Sequence, residues 1–174
     1  MPLIELPIGW LVLADAAAWT FFQLVISYGA TRIPFHWFVR HDRLFRSFRF
    51  ERNGELWQQL FRIKGWKGHL PDGSMFFPSA YNKQALHGHD SPSLAEFVVE
   101  SRRAELTHWL VMLPAPLFCL WNPAEAFWMN VAYAFFFNIP FIITQRYNRP
   151  RLERLIIQKQ NKSQALPDSR ILKS

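Results

Sequence analysis

Near its start the chain reads LPIGWLVLADAAAWTFFQLVISYGA, residues 6–30, a run without lysine or arginine and with Asp15 as its only central charge. An α-helix rises ~1.5 Å per residue, so about 20 apolar residues cross the hydrocarbon core of a bilayer. The run is long enough to cross, and no basic segment of the signal-peptide type precedes it. We therefore predict a retained membrane-spanning helix over residues 6–30.

Basic residues are segregated along the chain. All 20 Lys and Arg lie in 31–105 and 145–174, and residues 1–30 and 106–144 contain none. The mean hydropathy of -0.05 would suit a soluble protein, but it averages over this segregation. The formal net charge of +7 invites a nucleic-acid partner, yet no zinc-finger or RNA-recognition signature accompanies it. Because the basic stretches adjoin apolar runs, we expect membrane lipids as partners and no nucleic acid.

Two further apolar runs, 106–121 and 124–144, are predicted to be the second and third spans. Asn122 and Pro123 mark the turn between them, because proline favours the first position of a helix. The second run is short for a crossing and contains Pro114 and Pro116, each of which removes a backbone donor. A segment that dips into the bilayer and returns is therefore the alternative to a full second crossing.

The positive-inside rule orients the three spans. The N-terminus and the short turn at 122–125 lack Lys and Arg and are assigned to the outside. The block 31–105 and the basic tail 145–174 are assigned to the cytoplasm, and three crossings agree with termini on opposite sides. We predict a multi-pass, all-α integral membrane protein of the cell membrane, with residues 1–174 forming one membrane domain.

The central cytoplasmic block is too long for a simple connection and too aromatic for a disordered one. Leu56, Trp57, Leu60 and Phe61 have helical spacing and form an apolar stripe, with Lys64 on a basic face. This pattern is typical of an amphipathic helix that lies in the membrane interface. We predict an interfacial helix here, followed by a cytoplasmic loop before the second span.

Glu105 and His108 are the first candidates for chemistry. Residues three positions apart share a helix face, and an imidazole beside a carboxylate can accept a hydroxyl proton near neutral pH. The alternative is an interfacial histidine solvated by lipid head groups. Two interpretations of Asp15 are open as well. An acid within a span is either functional or lies beside a water-filled cleft or interface.

Other polar clusters carry weaker signals. His69 and Asp72 form a second candidate cluster, and the glycine after Asp72 allows a tight turn. The cluster either brings a carboxylate close to a substrate or is simply a polar turn. His87 and His89 resemble a metal-binding loop but lack a second cluster, so a solvated loop is favoured and no metal is predicted. Cys119 is the single cysteine, which excludes an internal disulfide and a cysteine-based metal site.

Arginines cluster at the ends of the predicted spans. Most residues of this kind anchor topology, but the guanidinium fork also matches the phosphates of an activated acyl donor. Polar residues within the third span usually tie helices together. The arginines at the span ends are Arg102, Arg103, Arg146, Arg149 and Arg151. The polar residues within the third span are Asn130 and Asn138. By themselves these features indicate a small membrane enzyme or a membrane-embedded binding protein.

Four segments, in matching order and spacing, resemble the glycosyl-4,4'-diaponeurosporenoate acyltransferase family of bacterial carotenoid pathways. They are GATRIP at 29–34, FRFERNG at 48–54 with its continuation to Asp72, ESRRAELTHW at 100–109 and NIPFIITQRYNRPRL at 138–152. The last two are the most specific. That family esterifies the glucose of a glycosylated carotenoic acid with a fatty acyl chain. The resemblance therefore implies a fatty acyl thioester and a lipid-soluble glycosylated acceptor as partners.

Residues that match the family's segments are the candidate site residues. For substrate binding the resemblance favours Arg32, Trp66, Lys67, Arg103, Asn138, Arg146, Tyr147 and Asn148. For catalysis it favours Asp72, Glu105 and His108. His69 departs from the family's pattern and is set aside.

We expect a membrane-embedded O-acyltransferase in which His108 is the general base, Glu105 orients it and Asp72 positions the sugar. The expected acyl donor is a phosphopantetheine thioester of coenzyme A or acyl carrier protein, bound by Arg103 and Arg146, with no further cofactor. A covalent route through the single cysteine is the alternative chemistry. A non-enzymatic lipid-binding or assembly module is the alternative function.

Overall fold

The computed structural model describes residues 2–70 and 91–165, and all regular structure in them is helical. The α-helices are α1 (Ile8–Arg32), α2 (Phe35–Arg40), α3 (Glu55–Phe61), α4 (Ser91–Met112) and α5 (Ala124–Ala165). Short 3-10 helices lie at Asp42–Phe45, Arg49–Gly54, Ile63–Gly65, Lys67–His69 and Ala115–Leu120. The all-α prediction is confirmed for these residues. Asp72 and the predicted cytoplasmic loop after it lie outside them.

Among the residues that the structure describes, two helices are long and apolar enough to cross a membrane: α1, over Ile8–Arg32, and the Ala124–Lys162 part of α5. None of the apolar window of α1 is buried within the protein. Large side chains such as Trp10, Phe21 and Leu24 are exposed along it. Apolar surface of this extent is unfavourable in water and favourable in lipid, so the two helices indicate association with a membrane.

The predicted second span, 106–121, is divided between two elements. Helix α4 is regular as far as Met112, and the chain then forms the 3-10 helix Ala115–Leu120 with Pro114 at its N-cap. Pro114 and Pro116 supply no backbone N–H, so two of the hydrogen bonds that would continue the regular helix cannot form. Neither part alone has the length of a span, so the three-crossing arrangement stays a prediction.

Helix α5 continues beyond the end of its apolar run. It passes Pro140 and Pro150 and forms 42 residues of continuous helix. One stripe along it, at four-residue spacing, is buried: Asn130, Ala134, Asn138, Ile142 and Arg146. Its large aromatic residues on other faces, including Phe135, Phe136 and Trp128, are exposed. Polar side chains inside and apolar side chains outside are the arrangement expected of a helix surrounded by lipid.

The chain forms two compact units, and α4 and α5 each contribute a part to both. The first unit comprises Met1–His41 and Arg102–Gln145, and the second comprises Asp42–Ser101 and Arg146–Ser174. Each unit has its own apolar core. The first core contains Met112, Ala115, Ala134 and Ile142, and the second contains Leu94, Phe97, Val98 and Leu152.

Asp15 ties α1 to the rest of the first unit. Its Oδ1 accepts hydrogen bonds from Trp121 Nε1 at 2.7 Å and from Asn122 Nδ2 at 2.8 Å. Its Oδ2 accepts one from Asn130 Nδ2 at 2.8 Å, and Asn130 Oδ1 in turn accepts one from Trp19 Nε1 at 2.7 Å. A carboxylate in an apolar helix is costly without such donors. The network therefore holds α1 at one register against its neighbours.

Helix α3 is shorter than the amphipathic helix predicted over residues 56–64. It ends at Phe61, because Arg62 adopts left-handed backbone angles with φ of 47°, and Ile63–Gly65 continues as a 3-10 helix. Leu60 and Phe61 are exposed, whereas Ile63 is buried. An apolar exposed edge is present on α3, but its placement at a membrane interface stays a prediction.

Candidate functional site

A hydrogen-bonded imidazole lies between α4 and α5 in the first unit. His108 Nδ1 is 2.9 Å from Asn138 Oδ1. The same amide donates from Nδ2 to the carbonyl oxygen of Ala134 at 2.8 Å, and a carbonyl can only accept. The hydrogen-bond network thus places Asn138 Oδ1 toward the ring and makes His108 Nδ1 the donor. In the neutral imidazole the lone pair is then on Nε2, the atom that can take a proton.

The His108 ring is also held by stacking. It lies parallel to Phe141, with the two ring centroids 4.5 Å apart and the planes 13° apart. Asn138 is 2% exposed, while His108 is half-buried. The orienting amide is therefore shielded from exchange with water, whereas the imidazole keeps some access to its surroundings.

Glu105 lies three residues before His108 on α4 and is 2% exposed. Helical spacing puts the two side chains on one face. The hydrogen bond described at His108 Nδ1 runs to Asn138, which the resemblance had placed in substrate binding. Asn138 therefore contributes to the orientation of the ring in this structure, and orientation by Glu105 stays a prediction.

Arg102 and Arg103 stabilise the corner between α1 and α2. Arg102 Nη1 donates to the carbonyl oxygen of Phe38 at 3.0 Å, and Arg103 Nη2 donates to that of Ile33 at 3.1 Å. The Arg103 guanidinium carbon also lies 5.3 Å from the centroid of the Phe38 ring. These contacts are typical of residues that anchor a helix end, and a role of Arg103 in donor binding stays a prediction.

A buried ion pair lies in the second unit. Arg146 Nε and Glu51 Oε1 are 2.7 Å apart, and their side chains are 9% and 1% exposed. Glu51 Oε2 also accepts from the backbone N–H of Phe48 at 3.2 Å. Arg149 Nη2 donates to the carbonyl oxygen of Phe45 at 2.6 Å. Both arginines thus bind the segment that precedes α3, and the sequence reasoning had not assigned Glu51 a role.

Lys67 forms a second polar cluster in the same unit. Its Nζ donates to Asn148 Oδ1 at 2.9 Å and lies 5.2 Å from the centroid of the Tyr147 ring. The guanidinium of Arg151 lies 3.8 Å from the same centroid. Burial lowers the pKa of Lys67, and the positive charges of Arg151 and Lys64 lower this pKa further. Trp66, the preceding residue, donates from Nε1 to the carbonyl oxygen of Phe61 at 2.7 Å.

Comparison with known proteins gives the family. The family model described as glycosyl-4,4'-diaponeurosporenoate acyltransferase matches residues 41–158, more than half of the chain. The chain belongs to this family. A Staphylococcus haemolyticus protein of that name is 40% identical over 81% of this chain and 82% of its own length. Staphylococcus aureus proteins of the same name are 37% and 36% identical over 79% of this chain and 83% of theirs. No solved structure matches the chain.

Membership of the family makes this chain an acyltransferase, which confirms the predicted enzyme class over a non-enzymatic lipid-binding module. The matched range includes the His108 and Lys67 clusters and the Glu51–Arg146 pair. It does not include α1, so Asp15 and Arg32 lie outside it. Arg32, at the end of α1, is exposed and packs against Tyr28 of the preceding turn.

The predicted site residues divide between the two units. The first unit contains Arg32, Arg103, Glu105, His108 and Asn138, and the second contains Trp66, Lys67, Arg146, Tyr147 and Asn148. Asp72 lies outside the described residues. Direct contacts join His108 to Asn138 and Lys67 to Tyr147 and Asn148. Within residues 2–70 and 91–165, no group of three His, Cys, Asp or Glu side chains is placed to hold a metal ion.

Proposed function

We propose that this enzyme is a membrane-embedded O-acyltransferase that esterifies a sugar hydroxyl of a glycosylated carotenoid, or of a related glycolipid, with a fatty acyl chain. The shared name of its relatives supports this class of acceptor. The two apolar helices and the outward-facing apolar residues of α5 support a site at a bilayer. The distribution of basic residues supports an outside N-terminus and a cytoplasmic C-terminus in the cell membrane.

The contact between His108 and Asn138 carries the proposal. A sugar hydroxyl is a poor nucleophile at neutral pH, so it needs a base in contact with it during attack. His108 Nε2 takes the hydroxyl proton while the sugar oxygen attacks the acyl carbonyl. The new C–O bond forms, the C–S bond of the thioester breaks, and the imidazolium returns the proton to the departing thiolate. Asn138 keeps the proton on Nδ1 and therefore the lone pair of the neutral ring on Nε2.

The acyl donor in this scheme is a thioester of phosphopantetheine, carried by coenzyme A or by acyl carrier protein. The reaction as written balances with the donor and the acceptor alone and requires no further cofactor. Glu105, buried on the same helix face as His108, is proposed to stabilise the imidazolium that forms transiently. Asp72 is proposed to position the sugar.

The proposal is tested with His108→Ala, assayed with purified protein for ester formation from a long-chain acyl thioester and a glycosylated acceptor. Loss of a general base is expected to lower kcat by roughly 10²–10⁴. The fold should persist, because the ring is half-buried and lies outside both apolar cores.

Cys119→Ala serves as the matched variant in this assay. Cys119 is exposed on the 3-10 helix Ala115–Leu120, and its replacement is expected to leave turnover near the wild-type value. Near-normal turnover of His108→Ala would remove the assignment of the base. An inactive Cys119→Ala beside an active His108→Ala would instead move the chemistry to a covalent acyl-cysteine intermediate.

A further inference from the structure

Two cations of the second unit pack against one buried aromatic ring. The guanidinium carbon of Arg151 lies 3.8 Å from the centroid of Tyr147, and Lys67 Nζ lies 5.2 Å from it. Arg151 Nη1 donates to the carbonyl oxygen of Tyr147 at 2.6 Å, and Lys67 Nζ donates to Asn148 Oδ1 at 2.9 Å. Both charged groups are therefore held by the same short stretch of α5.

The charge of these two side chains is not neutralised within the part of the chain that the structure describes. There, the polar contacts of Lys67 and Arg151 are to neutral oxygens and to the Tyr147 ring. Arg146, on the same helix, differs because it forms a 2.7 Å ion pair with Glu51. Burial lowers the pKa of Lys67, and repulsion from the positive charges of Arg151 and Lys64 lowers it further. Concentrated positive charge of this kind attracts an anion.

The arginine of the pair is also confined by close packing. The turn that ends the 3-10 helix Arg49–Gly54 approaches α5, and Gly54 has a φ of 86°. A Cβ atom at Gly54 would lie 2.9 Å from Arg151 Nη1 and 3.0 Å from the carbonyl oxygen of Tyr147. A side chain that is already restricted loses less conformational entropy when it binds a ligand.

We propose that Lys67 and Arg151 form a phosphate-binding site for the phosphopantetheine-bearing acyl donor. The choice of donor rests on the proposed acyl transfer. Arginine offers a planar fork to phosphate oxygens and lysine offers a point charge, so the pair suits a phosphate better than a neutral sugar. The phosphate of a membrane lipid has the same chemistry, and the experiment separates the two sources.

The experiment measures binding of coenzyme A itself to the full chain, purified in an uncharged detergent without phospholipid, by calorimetry or equilibrium dialysis. Lys67→Gln and Arg151→Gln are each expected to raise the Kd about tenfold, because each removes a charge-assisted hydrogen bond to phosphate. Arg154→Gln is the matched control, since it removes the same charge from an exposed position on the same helix. Its Kd should stay within about twofold of wild type.

A second arm replaces coenzyme A with holo acyl carrier protein, and a third measures partitioning onto phosphatidylglycerol vesicles. The proposal is supported if Lys67→Gln and Arg151→Gln weaken the binding of either donor and leave vesicle binding unchanged. Weakened vesicle binding with unchanged donor binding would assign the cations to a lipid head group and overturn the proposal. Equal effects of Arg154→Gln and Arg151→Gln, or no wild-type binding of either donor, would also overturn it.

The His108→Ala variant separates this inference from the proposed function. It should bind coenzyme A with the wild-type Kd, since His108 belongs to the first unit and the cation pair to the second. A protein that binds the donor through Lys67 and Arg151 but transfers no acyl group would keep the site and reject the proposed function. If Lys67→Gln and Arg151→Gln transfer the acyl group with an unchanged donor KM, the proposed function would stand and the phosphate site would be rejected.

Discussion

A neutral amide orients the histidine of the candidate site, a position where enzymes often use a carboxylate. Asn138 is buried within an apolar helix, and its two polar ends are satisfied by His108 and by the carbonyl oxygen of Ala134. A carboxylate at this position would have to be desolvated without a second donor, which is costly in apolar surroundings. The amide selects one tautomer of the ring without adding a buried charge.

Replacement of Asn138 tests this positioning role. Asn138→Leu removes the acceptor at His108 Nδ1 that favours one tautomer, and kcat should fall roughly tenfold, less than the ~10²–10⁴ expected for loss of the base itself. Asn138→Asp keeps an acceptor toward His108 Nδ1 and should retain more activity than Asn138→Leu, although its buried carboxylate faces the carbonyl oxygen of Ala134 and should lower the free energy of unfolding. Both are measured as kcat and acceptor KM with purified protein.

The control is the double variant His108→Ala/Asn138→Leu. If Asn138 acts through the imidazole, the second change should add no further loss, because effects of residues that act as a unit are not additive. A tenfold further loss in the double variant, or equal loss in Asn138→Leu and Asn138→Asp, would show that Asn138 acts otherwise.

At the scale of elements, α5 contributes to both units with one buried stripe. Asn130 and Asn138 of that stripe serve the first unit, and Arg146 serves the second through Glu51. The Glu51–Arg146 pair fixes the 3-10 helix Arg49–Gly54 to the helix. The pair therefore has a structural role in this conformation. The expectation that Arg146 binds the acyl donor has to be tested against this structural role.

Arg146→Ala should destabilise the second unit, because it leaves the Glu51 carboxylate buried without its partner. Breaking a buried pair typically costs about 3–5 kcal/mol, whereas replacing both partners with apolar residues is often near neutral. We therefore expect Glu51→Leu/Arg146→Leu to be more stable than Arg146→Ala. The measurement is the free energy of unfolding by denaturant in detergent. An unchanged unfolding free energy together with a raised donor KM in Arg146→Ala would instead assign Arg146 to the donor.

At the scale of the whole chain, exposed apolar residues and internal polar residues fit a membrane better than water. Phe136 is 81% exposed and Met129 is 73% exposed, while Asn130 and Asn138 on the same helix are buried. In lipid the apolar faces are solvated by acyl chains, and the polar side chains find partners inside. The absence of Lys and Arg from residues 1–30 and 106–144 is consistent with this setting.

The topology gives the prediction at this scale. With the N-terminus outside and three crossings, a reporter fused after Ser174 should be active only in the cytoplasm. A reporter fused before residue 6 should be active only outside. Cytoplasmic activity of both fusions would indicate two crossings, as expected if the interrupted segment 106–121 dips into the bilayer and returns. Activity of the C-terminal fusion outside the cell would contradict the assigned orientation.

Local composition was enough to predict the helical class and the two longest apolar helices, and four sequence segments carried the resemblance to the acyltransferase family. These features depend on runs of neighbouring residues, and the described structure and the comparisons confirm them. The spacing from Glu105 marked His108 as a candidate, and the resemblance to the family marked Lys67 and Asn148. Helix ends were less predictable, because α3 stops at a left-handed Arg62 and α5 continues through Pro150, beside which Arg149 binds the carbonyl oxygen of Phe45 and Leu152 packs in an apolar core.

Only the tertiary structure decided which partner each polar side chain has. Asp15 and Trp121 are separated by 106 residues, Glu51 and Arg146 by 95, and His108 and Asn138 by 30. No periodicity or spacing links such pairs, because their contact depends on how helices cross and on which faces they bury. Hydropathy could place Asp15 in a span, but its three donors come from elements that meet it only after the chain has folded.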